Sequence, residues 1–137
     1  MKPQQERLKA LACFVPIFME PGFQFGIWEK SPPDESGVLS FPWCTLSKAA
    51  AEFESACYEF EWVRQFDWSG WRDTETSRRL MESPEQVSTA SAGELAKMLT
   101  VFIRGERFCD GTLNSAFDQG FLTSIVQRAA ALLVETK

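Results

Sequence analysis

The strongest constraint on the fold is a helical repeat of apolar residues in the middle of the chain. They recur at spacings of four, three, four and three residues, at Leu46, Ala50, Phe53, Cys57 and Phe60. This period places them in one stripe along an α-helix, which we predict to run from residue 45 or 47 to about residue 64. Tyr58 and Trp62 fall on the opposite side. That face is either packed against further structure, which we favour, or it is a contact surface.

Other segments have the same helical period. Residues 4–19 predict a helix that Pro16 kinks or ends near Val15. Ser91 and Glu94 form a capping-box pattern that begins another helix. A short helix over 114–119 is expected to end at Gly120 in a left-handed conformation, and 121–134 predicts the last helix. The sequence therefore predicts a mainly α fold: a single compact domain over 1–137 with four or five helices.

One short stretch alternates like a β-strand instead. Apolar residues at positions 23, 25 and 27 alternate with Gln24 and Gly26, and Trp28 follows. If residues 38–41 are extended as well, the two pieces form a short hairpin near the N-terminus. The polar residues 31–37 between them read as a loop.

The composition excludes several classes of function. The chain contains no histidine, which removes Ser-His-Asp and Cys-His catalysis and the common histidine metal sites, so we predict no catalytic residues. Its four cysteines contain no CxxC pair, and we expect no metal and no cofactor. The paired glutamates at positions 52, 54, 59 and 61 flank the apolar stripe, where solvated carboxylates are usual.

Charge and hydropathy also limit the partners. The formal net charge is −5 and the cations are scattered, so we expect no nucleic-acid binding. No apolar run is long enough for a membrane span, so no membrane association is expected. The N-terminus, Met-Lys-Pro-Gln-Gln-Glu-Arg, lacks the apolar core of a signal peptide. We therefore expect a cytoplasmic protein with reduced thiols.

Several motifs stand out along the chain: Phe66-Asp67-Trp68 with Trp71, residues 95–100, Arg107-Phe108-Cys109-Asp110-Gly111, and Gly120 with Leu122, Ile125 and Arg128. In these motifs the chain resembles an uncharacterised family of small bacterial proteins, a domain of unknown function. The resemblance covers most of the chain and supplies no chemistry. One departure is Gly105, where a longer polar residue is expected and where a helix end would be looser.

The first candidate site is the turn that carries Arg104, Arg107 and Asp110. Two guanidinium groups at one helix end can bind a phosphate or a carboxylate. Alternatively, these cations only complement the helix dipole and Arg107 pairs with Asp110 or Asp67, which is the interpretation we favour. Cys109, in the same turn, is either reactive or a buried structural thiol; we favour the second.

The second candidate site is the segment Asp67-Trp68-Ser69-Gly70-Trp71. A carboxylate between exposed indoles binds sugars or cations. Alternatively, Asp67 caps the following turn and both indoles close the core. If Asp67 meets Arg104 or Arg107 across a shared cleft, the candidate ligand-binding residues are Asp67, Trp68, Trp71, Arg104, Arg107 and Asp110.

These patterns favour a non-enzymatic interaction module that binds another protein or a second copy of itself. The absence of a catalytic constellation supports this hypothesis, as do the five Trp, one Tyr and twelve Phe residues, because aromatic side chains anchor many interfaces. The alternative is a binding protein or minor enzyme for an anionic metabolite, using the Arg/Asp cleft. A more remote alternative is an acidic inhibitor that mimics nucleic acid.

Overall fold

A computed structural model describes residues 2–30, 34–37 and 42–135 as a set of helices with one two-stranded sheet. The mainly α fold with a short hairpin is thus confirmed. In chain order the elements are α1 (Gln4–Ala12), α2 (Val15–Phe18), β1 (Gly26–Glu29), β2 (Trp43–Leu46), α3 (Lys48–Glu59), α4 (Trp68–Trp71), α5 (Glu75–Glu82), a 3₁₀ helix (Pro84–Thr89), α6 (Ala92–Glu106), α7 (Thr112–Asp118) and α8 (Phe121–Glu135).

The hairpin uses a different second strand from the one predicted. β1 pairs with β2 in antiparallel register, with Trp28 opposite Cys44 and Glu29 opposite Trp43. The predicted partner segment, 38–41, lies outside the described residues. Because side chains alternate across a strand, Trp28 and Trp43 point to opposite faces of the hairpin.

The described ranges contain more helices than the four or five expected. Pro16 lies in the first turn of a separate helix, α2, so residues 4–19 form two helices instead of one. Helix α5 was not predicted either, since its segment is largely polar. Its start is nevertheless encoded locally, because the Thr74 hydroxyl accepts a hydrogen bond from the Ser77 N–H.

Helix α3 ends earlier than predicted. It begins as expected, with the Ser47 hydroxyl accepting the Ala50 N–H at 3.1 Å. It stops at Glu59 because Glu61 has a φ of 62°, which is left-handed. The N–H groups of Trp62 and Val63 then turn back to the carbonyl oxygen of Cys57. Trp62 is therefore outside the helix, and its side chain is fully buried.

The core forms around α8, which packs against α1, α2, α6, α7 and the 3₁₀ helix. Two helix boundaries predicted from the sequence, the start of α6 and the end of α7, are confirmed. Ser91 and Glu94 make both hydrogen bonds of the capping box that begins α6, and Gly120 is left-handed between α7 and α8. Against α8 and α7 lies a cluster of rings from the N-terminal half, Phe14, Phe18, Phe25 and Phe53, with Phe117. No helix of the described ranges is long and apolar enough to cross a membrane.

Candidate functional site

An open cleft of about 850 Å³ lies between the hairpin and helices α4 to α7, reaching the first residue of α8. Its lining includes the buried side chains of Val101, Phe102 and Phe121. Three less buried aromatic side chains also line it: Trp28, Trp68 and Phe108. The lining is thus mainly apolar, and this volume lies within the roughly 300–1,000 Å³ of known ligand clefts.

Trp68 reaches the cleft from the short helix α4. The Asp67 carboxylate accepts the Gly70 N–H at 3.0 Å and so caps this helix. A Cβ on Gly70 would lie 2.3 Å from the Asp67 carboxylate, so the absence of a side chain there makes room for the cap. The capped turn directs Trp68 toward Phe108, and the centroids of the two rings are 6.1 Å apart.

Phe108 stands on a turn that two carboxylates fasten to the body of the protein. Glu106 accepts the N–H groups of Gly111 at 3.0 Å and Leu113 at 2.8 Å. Asp110 accepts the Cys44 N–H from β2 at 2.7 Å. The turn is therefore bonded to both α7 and the hairpin. Yet Phe108 itself is 81% exposed.

Trp28 packs directly on the backbone of Gly111. Gly111 has a φ of 93°, and a Cβ at this position would lie 2.2 Å from Cζ2 of the Trp28 indole. Only glycine adopts this conformation readily and also leaves room for the ring. The indole remains 53% exposed, so one side covers Gly111 while much of the ring faces solvent and the cleft.

Two ionisable groups near this turn, Glu106 and Cys44, both have a raised pKa. Burial, and the neighbouring carboxyl of Asp110, raise the pKa of Glu106, against the opposing effect of its two N–H donors. Burial also raises the pKa of the Cys44 thiol, as do the negative charges of Glu106 and Asp110. A neutral Cys44 thiol is a weak nucleophile and a poor metal ligand at neutral pH.

The basic groups of the cleft come from the α4–α5 side. Arg72, directly after α4, and Arg78, on α5, both line it and both are exposed. Within the part of the chain that the structure describes, neither guanidinium has a hydrogen-bond or ion-pair partner. Arg79 differs: it pairs with Glu94 at 3.7 Å and does not line the cleft.

Two of the six candidate residues lie on the cleft, namely Trp68 and Asp110. Asp67 caps α4, as its alternative interpretation proposed, and Trp71 is buried against Phe66 at 6.4 Å between ring centroids. The remaining two, Arg104 and Arg107, do not line the cleft.

The structure also locates the two arginines at the end of α6. Arg104 is half-buried, with no hydrogen-bond partner for its Nε, and Arg107 is exposed. Among the described residues, ion pairs within 4.0 Å join Arg79 to Glu94 and Arg128 to Glu135. Asp67 is therefore not paired with Arg104 or Arg107, and Arg107 is not paired with Asp110.

Sequence reasoning did not select Trp28, Arg72, Arg78 and Phe108 as site residues. Only the alternation of 23–28 could have indicated that Trp28 stands on a strand face, and nothing local indicates that Arg78 borders the cleft. The expectation that Cys109 is buried was wrong: it is exposed and lines the cleft. Cys109 follows Phe108 in a turn that lies on the surface, so the core does not cover it.

No group of three or more His, Cys, Asp or Glu side chains that could hold a metal ion occurs in the described ranges. The described lining of the cleft presents aromatic rings, two free guanidinium groups, the Asp110 carboxylate and the Cys109 thiol. Such a set binds by apolar contact, stacking and charge.

The chain belongs to a family of unknown function, DUF6508, whose model matches residues 3–135. This agrees with the resemblance to a domain of unknown function seen in the sequence motifs. No curated protein and no solved structure matches the chain.

Proposed function

We propose that this chain is a single non-enzymatic interaction domain that seats a segment of a partner protein in the aromatic cleft. The observation that carries the proposal is the exposure of Phe108, 81%, and of Trp28, 53%, beside an open apolar cleft. Large apolar side chains grouped around such a cleft are typical of surfaces that a partner covers.

Binding of a partner segment explains the exposed Phe108 ring at the cleft better than binding of a small molecule does. A molecule confined to the cleft would leave most of the Phe108 ring in water, because this ring stands out from the turn. An extended or helical segment, by contrast, can insert one or two side chains into the cleft while its backbone crosses Phe108. The hydrogen bonds that fasten the turn reduce the ordering needed on binding.

The second candidate function, binding of an anionic metabolite, has support from the free guanidinium groups of Arg72 and Arg78 and from the volume of the cleft. Of the six residues that the sequence suggested for this purpose, Trp68 and Asp110 remain on the cleft. We place it second because it leaves the exposed Phe108 without a role.

Selection of peptides on the intact protein tests the proposal. The probe is a display library of random dodecapeptides, screened on the wild type and on the variants Trp28→Ala and Phe108→Ala. The matched control is Trp43→Ala, because Trp43 is 42% exposed on the same hairpin but points to its other face. We expect peptides with aliphatic or aromatic anchors on the wild type and the control. Their Kd should rise at least about tenfold in both cleft variants.

Three outcomes would overturn the proposal. The first is that no peptide is enriched, and the second is that the enriched peptides bind equally well to Trp28→Ala and Phe108→Ala. The third is a Tm increase caused by a small carboxylate or phosphate compound, lost in these variants, without peptide enrichment; it would establish the metabolite function instead. Far-UV circular dichroism verifies that each variant is folded.

We also propose that the domain works in the bacterial cytoplasm. The family resemblance supports the bacterial origin, and the four free cysteines support a reducing compartment. Alkylation of the thiols during cell lysis in denaturant, which also exposes the buried Cys57, followed by mass spectrometry, should find all four labelled; a disulfide between any two would contradict this location.

A further inference from the structure

We infer that the segment bound in the cleft carries carboxylate groups next to its apolar anchor, so that the partner is an acidic and apolar stretch of protein. This inference rests on the proposed function and adds the chemistry of the partner. It follows from the charges around the cleft.

The cleft has the opposite charge to the chain as a whole. The formal net charge of the protein is −5, whereas the charged residues that line the cleft are Arg72, Arg78 and Asp110. Counted over the residues that the structure describes, the lining therefore carries a net charge of +1. Although the protein as a whole is negative, the positive charge of the cleft attracts anionic groups that lie close to it. An acidic partner segment is therefore favoured at this contact.

The two guanidinium groups are also free to bind. Over the described ranges neither makes an ion pair, while the adjacent Arg79 is already engaged with Glu94. The only carboxylate among the described lining residues, that of Asp110, accepts the Cys44 N–H through Oδ2 and so is partly compensated. A guanidinium group presents two parallel donors to a carboxylate, which makes acidic side chains its preferred partners in a protein.

The positions of these groups also indicate how apolar and acidic side chains are spaced in the partner segment. Arg72 and Arg78 come from α4 and α5, while the exposed rings Trp28 and Phe108 come from the hairpin and the turn after α6. Trp68 of α4 connects the two sides, since its ring contacts Phe108. A segment with an apolar side chain among the rings thus places its neighbouring side chains near the arginines.

Peptide selection on four forms of the intact protein tests this inference: wild type, Trp28→Ala, the double variant Arg72→Gln/Arg78→Gln, and Arg79→Gln. Arg78 and Arg79 are adjacent exposed residues of α5, but only Arg78 lines the cleft. The Arg79 variant is therefore a matched control for the loss of a positive charge. All these arginines are exposed, so the substitutions should leave Tm nearly unchanged.

We expect random dodecapeptides enriched on the wild type and on Arg79→Gln to contain Asp or Glu beside an aliphatic or aromatic residue. This preference should disappear on the double variant. The most enriched wild-type peptide is then synthesised with Asn and Gln in place of Asp and Glu. Its Kd should rise by about two- to fivefold for each guanidinium group engaged. The difference in Kd between the acidic peptide and its amide counterpart should shrink in about 0.5 M salt, because salt at this concentration screens exposed charges.

The outcomes separate this inference from the proposed function. Apolar peptides without acidic residues, sensitive to Trp28→Ala, would overturn the inference and leave the proposed function standing. An acidic preference that survives in the double variant would overturn the role of Arg72 and Arg78. Absence of any peptide that distinguishes wild type from Trp28→Ala would overturn the proposed function and the inference together.

Discussion

The Arg7 guanidinium lies over the Trp62 ring, 4.4 Å from its centroid, while the Trp62 Nε1–H donates to the Arg7 carbonyl oxygen at 3.0 Å. The same guanidinium donates to the carbonyl oxygens of Phe60 at 2.9 Å and Glu61 at 3.1 Å. Arg7 thus joins α1 to the chain that leaves α3. It satisfies carbonyl groups that the early end of this helix leaves without helical partners.

Arg7→Lys should lower the free energy of unfolding by about 1–3 kcal/mol, because an ammonium group does not reproduce the paired hydrogen bonds and the stacking of a guanidinium. Urea denaturation of both proteins measures the difference. The control is Arg72→Lys, in which the exposed side chain has no partner in the described structure and whose stability should not change. Equal losses of unfolding free energy in both variants would contradict this expectation. They would show that the guanidinium of Arg7 adds no stability beyond the positive charge that lysine keeps.

Gly111→Ala should be destabilising by about 1–3 kcal/mol, since it introduces a left-handed alanine and displaces the Trp28 indole. In a Trp28→Ala background the clash is gone, so the cost should fall by at least about 0.5 kcal/mol. Gly93→Ala is the control, because a Cβ there meets nothing closer than the Ser91 hydroxyl at 3.9 Å. That variant should match or exceed the wild-type stability. A Gly111 cost that is the same in both backgrounds would contradict the contact with Trp28.

Glu61 offers a test of the left-handed end of α3. Both Glu61→Gly and Glu61→Ala remove the carboxylate that accepts the Lys2 N–H, so their difference reports on the backbone. Because the φ of Glu61 is 62°, the Gly variant should be more stable than the Ala variant by about 1 kcal/mol. At Glu52, inside α3 and exposed, the order should reverse by a similar amount, about 1 kcal/mol. Thermal unfolding of the four variants gives both differences.

Local signals in the sequence predicted much of the fold. The Ser91–Glu94 capping box, Gly120 and the apolar stripe of α3 each act over a few residues, so spacing and residue type were sufficient. The end of α3 and the strand pairing were predicted less well. Glu61 is a residue that rarely adopts φ above zero, and the pairing of β1 with β2 depends on contacts across a loop.

The candidate site was less predictable because it is assembled from distant parts of the chain. Trp28 and Gly111 are far apart in sequence and meet only in the fold. Arg104 and Arg107 share a helix end, but helical geometry does not say whether that face borders a cleft. Of the residues that the sequence suggested, Trp68 and Asp110 line the cleft.

Glu106 gives the protein a pH dependence of predictable sign. Burial and the Asp110 carboxyl raise its pKa in the folded state, above an unfolded value of about 4.3. The stabilisation linked to such a group is complete below the unfolded pKa and is lost as the pH rises through the folded pKa. Glu106→Gln cannot titrate. The free energy of unfolding of the wild type minus that of the variant should therefore decrease as the pH rises above the unfolded pKa of about 4.3.

Urea denaturation at several pH values measures this difference. Asp110→Asn provides the internal control, because an amide oxygen can still accept the Cys44 N–H while the neighbouring acid is removed. In that background the pKa of Glu106 is raised by burial alone, and the decrease with pH should be smaller. A difference that stays constant or grows with pH would mean that the two N–H donors at the start of α7 outweigh burial at Glu106.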